Sequence, residues 1–192
     1  MPLSERAQQL IPKARILSFA DWPYQQAAIA IWQQADDQTR YLSDSDLDTL
    51  VNLEPDLLVS SQQARKLRDN ANSIVDNARK TVLSQFTTIF QPGGDLYPPH
   101  RAKACWRDFW NFLRCITYGV VGQQIPYTSA EGLENMRLLY QELQVPLGAM
   151  ISGLEALKQY SLEYFSHSEK TAITPYFDHL ITVMKKFSNC GI

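Results

Sequence analysis

Residues 102–121, AKACWRDFWNFLRCITYGVV, carry the stretch that decides the fold. Ala102, Trp106, Phe109, Leu113, Ile116 and Val120 recur at steps of three and four, which is the spacing of one helix face. A second row on the same helix runs Arg101, Cys105, Asp108, Phe112 and Cys115. A long helix with two such rows reads as the central helix of an all-α domain. Pro98 and Pro99 suit its first turn. PGGDLYPP, residues 92–99, is the strongest break in the chain and separates this helix from what precedes it.

Working outward, helical spacing dominates between the proline and glycine clusters. A first helix is expected from Ser4, as N-cap, to about Leu17. A second is expected from Pro23 to about Gln38, with Ala27, Ile31 and Ala35 on one stripe. Ser43 or Asp44 can cap a short helix in TRYLSDSDLDTL. Pro55 opens a long one whose Ala64, Leu67, Ala71, Ile74, Ala78 and Val82 face inward. Further helices are expected over Ser129–Gln144, Pro146–Ser166 and Thr174–Ser188. Strand-like alternation is nearly absent. The reading divides the chain into residues 1–38, an N-terminal helical extension with pairing helices, and residues 39–192, one all-α domain.

Composition bounds the function. The 192 residues are 45% hydrophobic and 20% charged, which fits a soluble globular domain and excludes wholesale disorder. Lys+Arg 18 against Asp+Glu 20 gives −2, so nothing asks for nucleic acid or an anionic membrane. Three cysteines are too few for a disulfide framework, and a reducing compartment is expected. No apolar run approaches the ~20 residues of a spanning helix. MPLSERAQQLIPKARIL lacks the apolar stretch of a secretory leader.

CWRD, residues 105–108, is the chemically interesting tetrapeptide. Cys105 and Asp108 share a helix face, and Arg101, Lys103 and Arg107 place positive charge around the thiol. Charge and a nearby helix N-terminus favour thiolate, the form that adds to an electrophile. A carboxylate one turn away accepts N–H bonds, and a guanidinium holds a ligand carboxylate. The cluster suits covalent capture of a molecule with inner N–H groups and outer carboxylates. The competing reading is a core thiol beside a surface ion pair. Cys115 reads as core and Cys190 as free and exposed; His100 reads as solvated, and Lys185-Lys186 as a solvated helix end. Trp106 and Trp110 read as core or pocket wall. No metal-ligand cluster and no dedicated acid–base pair stands out, so no enzyme activity and no metal site are expected.

These residues resemble the phycobiliprotein family, the light-harvesting subunits of phycobilisomes. The resemblance runs through Cys105-x-Arg107-Asp108, Leu113-Arg114 and Thr117-Tyr118, with Pro92-Gly93-Gly94 and Tyr97 in the preceding loop. TRYLS at 39–43 is most similar to the allophycocyanins. Arg137, Tyr140, Pro146, LGAMISGLEALK and Tyr176-Phe177-Asp178 follow the family's order, so the likeness covers roughly residues 35–187.

The resemblance implies a globin-like fold with additional N-terminal helices for subunit pairing. It implies a linear tetrapyrrole of the phycocyanobilin type, joined by a thioether at Cys105. It puts Asp108 on the inner pyrrole N–H groups and Arg107 on a propionate. The candidate bilin-contacting set is Cys105, Arg107, Asp108, Arg101, Lys103 and Tyr118. Asp36 is expected to pair with the Arg114 of a partner. The chain departs from the family at Gln123-Gln124, Asp95, Trp106 and Trp110, and by about 20 residues before the expected N-terminus. The function implied is a bilin-carrying subunit, peripheral on the cytoplasmic face of the thylakoid. It would pair with another phycobiliprotein subunit or itself, with a linker protein or photosystem as further partners. The alternative is a related accessory protein for antenna or photosystem assembly, docking or turnover, with or without pigment. A bilin lyase or isomerase is the third reading, and a haem protein is disfavoured for want of a suitably placed histidine.

Overall fold

The computed structural model describes residues 3–187, and among these the only strand-like feature is one isolated bridge. Nine helices follow in order: α1 (Glu5–Leu10), α2 (Gln26–Asp37), α3 (Asp44–Leu53), α4 (Leu58–Asp69), α5 (Ala71–Gln85), α6 (Pro99–Val121), α7 (Ala130–Glu142), α8 (Leu147–Leu162) and α9 (His167–Phe187). The all-α expectation holds. α6 runs through the centre, with every residue from Phe112 to Val121 buried. α4, α5, α8 and α9 pack around it or on one another. The apolar row of α4 and α5, Ala64 to Val82, is buried as its spacing requires.

Several helix ends depart from expectation, each for a local reason. Ser4 does cap α1, accepting from the Ala7 N–H, but the helix stops at Leu10 because Pro12 follows. The long helix after Pro55 begins with a 3-10 turn over residues 55–57 and breaks at Asn70. The Asn70 amide donates to the Lys66 carbonyl, competing with the helical ladder. α9 starts seven residues before the expected Thr174, so Pro175 lies inside it. Ser188 and Cys190 lie outside the described residues.

The start of α9 is fixed by Glu169. It accepts from the Ser166 N–H at 2.9 Å, from the Ser166 hydroxyl at 2.7 Å and from Lys66 Nζ at 2.9 Å. These donors, the backbone N–H first, hold its carboxyl down at about 2. A depressed acid contributes stability that is present above the ordinary glutamate range and is lost as pH falls towards 2. Glu169→Gln should therefore lower the melting temperature at pH 7, and the gap to wild type should close between about pH 4.5 and 2. A gap that stays constant over that range would remove the charge from the explanation.

The N-terminal residues fold back on the rest. Ile16, Phe19, Trp22, Ala28, Trp32 and Ala35 belong to the same buried cluster as the helices after residue 39, so one core runs across residue 38. The buried stripe of α2 is Ala28, Trp32 and Ala35, one residue off the expected Ala27 and Ile31, because the large Trp32 ring turns inward. Residues 14–25 form a strap rather than helix. Ser18 N–H donates to the Tyr127 carbonyl and Ser129 N–H to that of Ile16, at 3.2 and 2.7 Å. Trp22 packs edge-on against Trp32 at 5.0 Å and Phe19 at 5.0 Å, and the Tyr24 hydroxyl donates to the Gly122 carbonyl at 2.8 Å. A Cβ at Gly122 would overlap the Trp22 ring, and one at Gly132 would overlap the Arg15 carbonyl. Further out, Ala7 and Leu10 of α1 pack on Leu139 of α7, and the Ser4 hydroxyl donates to Glu142 at 2.6 Å.

Candidate functional site

Cys105 sits two turns into α6 and faces α8. It is 5% exposed, and its S–H donates to the Met150 thioether at 3.2 Å. α8 comes this close because Gly153 has no side chain; a Cβ there would overlap the Phe109 ring. Burial first, and the Asp108 charge second, push the Cys105 thiol up to about 12. This corrects the expectation of a charge-activated thiolate. The three cations near it in sequence do not face the sulfur.

The cations go elsewhere for geometric reasons. Arg101 donates to the carbonyls of Asp95, Leu143 and Gln144 at 2.8–2.9 Å, clamping the loop before α6 to the turn after α7. Lys103 is two residues from Cys105, on the other side of the helix, and is exposed. Arg107 is 70% exposed in its side chain and reaches Asp108, with Nη2 to Oδ1 at 3.5 Å. Tyr118 is about 20 Å further along the helix axis, at 1.5 Å per residue. It is fully buried and donates its hydroxyl to the Arg40 carbonyl. The structure thus brings together Cys105, Asp108 and Arg107, and does not bring Arg101, Lys103 or Tyr118 to the thiol. His100 is exposed, in line with its solvated reading.

Asp108 points between α6 and α7. The Tyr140 hydroxyl donates to its Oδ2 at 3.1 Å. Its side chain is 25% exposed. Burial raises the carboxyl, and Arg107 and Tyr140 pull the other way without reversing it. A carboxyl in this state gains from any further donor brought to it. One turn on, Asn111 Oδ1 is buried with no hydrogen-bond partner among the described residues.

Three residues here were not assigned from sequence. Met150 is one of four methionines in the chain and carries no spacing signal towards Cys105. Tyr140 appears only as part of a family order, with nothing tying its hydroxyl to Asp108. Asn111 carries a weak signal, a poor helix former in the middle of a long helix.

At the other end of α6, Arg114 is buried and donates from Nη1 to Asp36 Oδ1 at 2.8 Å within the same chain. Asp36 was expected to meet a partner's Arg114; in this structure the C-terminal end of α2 brings it to the chain's own Arg114. The strap makes this possible, since Arg15 of the strap holds Asp36 Oδ2 at 2.6 Å and Asp37 at 2.7 Å. Cys115 is buried in the core as expected, its thiol pushed up to about 11 by burial. Gln123 adopts a left-handed backbone at φ 49° and donates to the Asp56 carbonyl, so the turn after α6 is tied to the residues before α4.

Comparison with known proteins matches residues 30–184 to a family model described as "Phycobilisome protein". The chain is 32% identical over 151 residues to the allophycocyanin subunit alpha-B of Nostoc sp., covering 79% of this chain and 94% of that one. It is 35% identical over 157 residues to the allophycocyanin alpha-B chain of Synechococcus sp., covering 79% and 93%. It is 32% identical over 155 residues to the allophycocyanin alpha chain of Galdieria sulphuraria, covering 79% and 94%. α1 and the strap precede the matched stretch.

Proposed function

This chain belongs to the phycobilisome protein family, as a divergent member of allophycocyanin type with the globin-like fold, and on that premise we propose that it is a bilin-carrying antenna subunit that absorbs light and passes excitation to a neighbour. The observation that carries the reading is the acceptor group on α6. Asp108 is raised by burial, is served among the described residues by Tyr140 and Arg107, and shares a helix face with Cys105. That donor set fits a linear tetrapyrrole with inner N–H groups and outer propionates. The bilin supplies the conjugated light-absorbing system and an exocyclic double bond that a thiol can add across.

The residues divide the work. Cys105 holds the pigment once its S–H leaves Met150. Asp108 accepts the inner N–H groups and favours the protonated chromophore. Arg107, exposed beside Asp108, meets a propionate. No bond is made or broken in the working state, so the protein acts as a binding scaffold. Its place is peripheral on the thylakoid; among the described residues no helix is long and apolar enough to cross a membrane. Its partners are other antenna subunits, with linker proteins and photosystems as further ones.

A visible spectrum of the chain coexpressed with phycocyanobilin and a bilin lyase tests the reading; a colourless product overturns it. Asp108→Asn probes the charge. The groups facing Asp108 are Arg107 and Cys105 on its own helix and Tyr140 on α7. In the apoprotein, a carboxyl raised on folding costs stability as pH rises above the ordinary aspartate range, so the variant should melt higher at pH 7. In the pigmented protein the loss of a charged acceptor should lower the bilin's own pKa by about one to two units, with weaker emission at neutral pH. Identical titrations would remove Asp108 from the chromophore.

A second reading, a pigment-free accessory protein, is favoured by one observation. Cys105 is sealed against Met150 with its thiol at about 12. The same spectrum decides between the two.

A further inference from the structure

We propose that α1 and the strap are a built-in cover over an apolar face that would otherwise pair with a second copy, so that this chain stays unpaired there and joins an assembly by its other sides. The family match begins at residue 30, after both elements. The 151 matched residues are 94% of the Nostoc subunit, which leaves about ten of its residues outside the match, too few to build both. α1 and the strap are additions to the shared fold.

The addition lies on aromatic rings. Trp22 packs edge-on against Trp32 at 5.0 Å, Tyr24 is 5.3 Å from Trp32, and Phe19 is 6.2 Å from Tyr118. Trp22 also sits against Gly122, and the Ser18 N–H is on the Tyr127 carbonyl. With the strap in place Trp32, Tyr118 and Tyr127 are each 0% exposed. Lifting it opens the strap-facing sides of these rings together, on α2, the end of α6 and the turn after it. Soluble monomers rarely leave a contiguous apolar patch bare, and one that is bare marks a place where a partner binds. An apolar face has no charge to match, so the same face of a second copy fits it, related by a two-fold axis.

The cover is held lightly compared with what lies beneath it. The strap has no helical ladder of its own. Its backbone is tied across at Tyr127 and Ser129, and its Arg15 to Asp36 and Asp37. A segment with few backbone bonds opens more cheaply than the helices under it.

The test uses the full-length chain without pigment, followed by sedimentation over a dilution series, so its outcome is independent of the bilin reading. Wild type should remain a monomer of 21.9 kDa. Two variants lift the strap by different means. Phe19→Ser combined with Trp22→Ser removes its anchors. Gly132→Ala keeps anchors and face intact but drives a Cβ into the Arg15 carbonyl. Both should keep the helical circular dichroism, reach twice the wild-type mass when concentrated and return to monomer on dilution. Amide exchange over residues 122–129 should be slow in wild type, faster in the diluted variants and slow again in their dimers. A wild-type dimer, or variants that stay monomeric at every concentration, overturns the inference. So does a variant dimer in which residues 122–129 stay unprotected, which places the contact elsewhere. Loss of the helical signal, or aggregates that dilution does not reverse, also overturns it and assigns the strap to folding alone.

Discussion

Cys105→Ser, coexpressed with phycocyanobilin and a bilin lyase, should lose the coloured band on denaturing electrophoresis altogether, while Cys115→Ser keeps it. The two thiols lie ten residues apart on one helix and are both buried, so burial alone does not separate them. What separates them is the surroundings. Cys105 neighbours the partly exposed Asp108 carboxylate and the surface-exposed Arg107, whereas Cys115 is enclosed in the helix's fully buried half. Attachment also requires a deprotonated sulfur, and at about 12 the thiol is almost wholly protonated at neutral pH. Spontaneous attachment should consequently be slow and the lyase essential. A coloured Cys105→Ser band would sink the assignment.

The second large effect concerns stability. Asp36→Leu should destabilise the protein by about 3–5 kcal/mol, read as a lower midpoint in urea, because it leaves the Arg114 guanidinium buried without its counter-charge. Both side chains are under a tenth exposed, so neither can turn to water. Asp37 is half exposed and meets only exposed partners, Arg15 and Gln33, so Asp37→Asn should leave the midpoint nearly unchanged. Asp36→Leu combined with Arg114→Met should recover most of the loss, because no buried charge remains. If the double variant is as unstable as the single one, the charge is not the cause.

Periodicity served well where a helix faces one uniform environment. The rows on α4, α5 and α6 were legible because each apolar residue meets other helices, and Ser4, Ser43 and Ser129 cap as short side-chain acceptors should. It failed over residues 14–25, where Phe19 and Trp22 are buried by long-range contacts to residues near 122 and 127, and no local spacing encodes that. The CxRD cluster was legible as a set of residue types, yet its electrostatics were not. Helical spacing puts Arg101 near Cys105, but the guanidinium is drawn off by three carbonyls that only the fold supplies. The same holds for Asp36, whose partner depended on which way α2 folds.

The folded-back strap also sets a timetable for synthesis. Ser4 closes on Glu142, 138 residues later in the chain, and Trp22 closes on Gly122. At roughly 5–20 residues per second, about 5–20 s separate the emergence of Trp22 from that of its seat. During that interval Phe19, Trp22 and Trp32 have no core to enter, and their apolar surface is available to chaperones or to other nascent chains. Residues 4–32 are thus made before the segments that secure them, and yield in a cell should depend on how quickly α6 and α7 follow them.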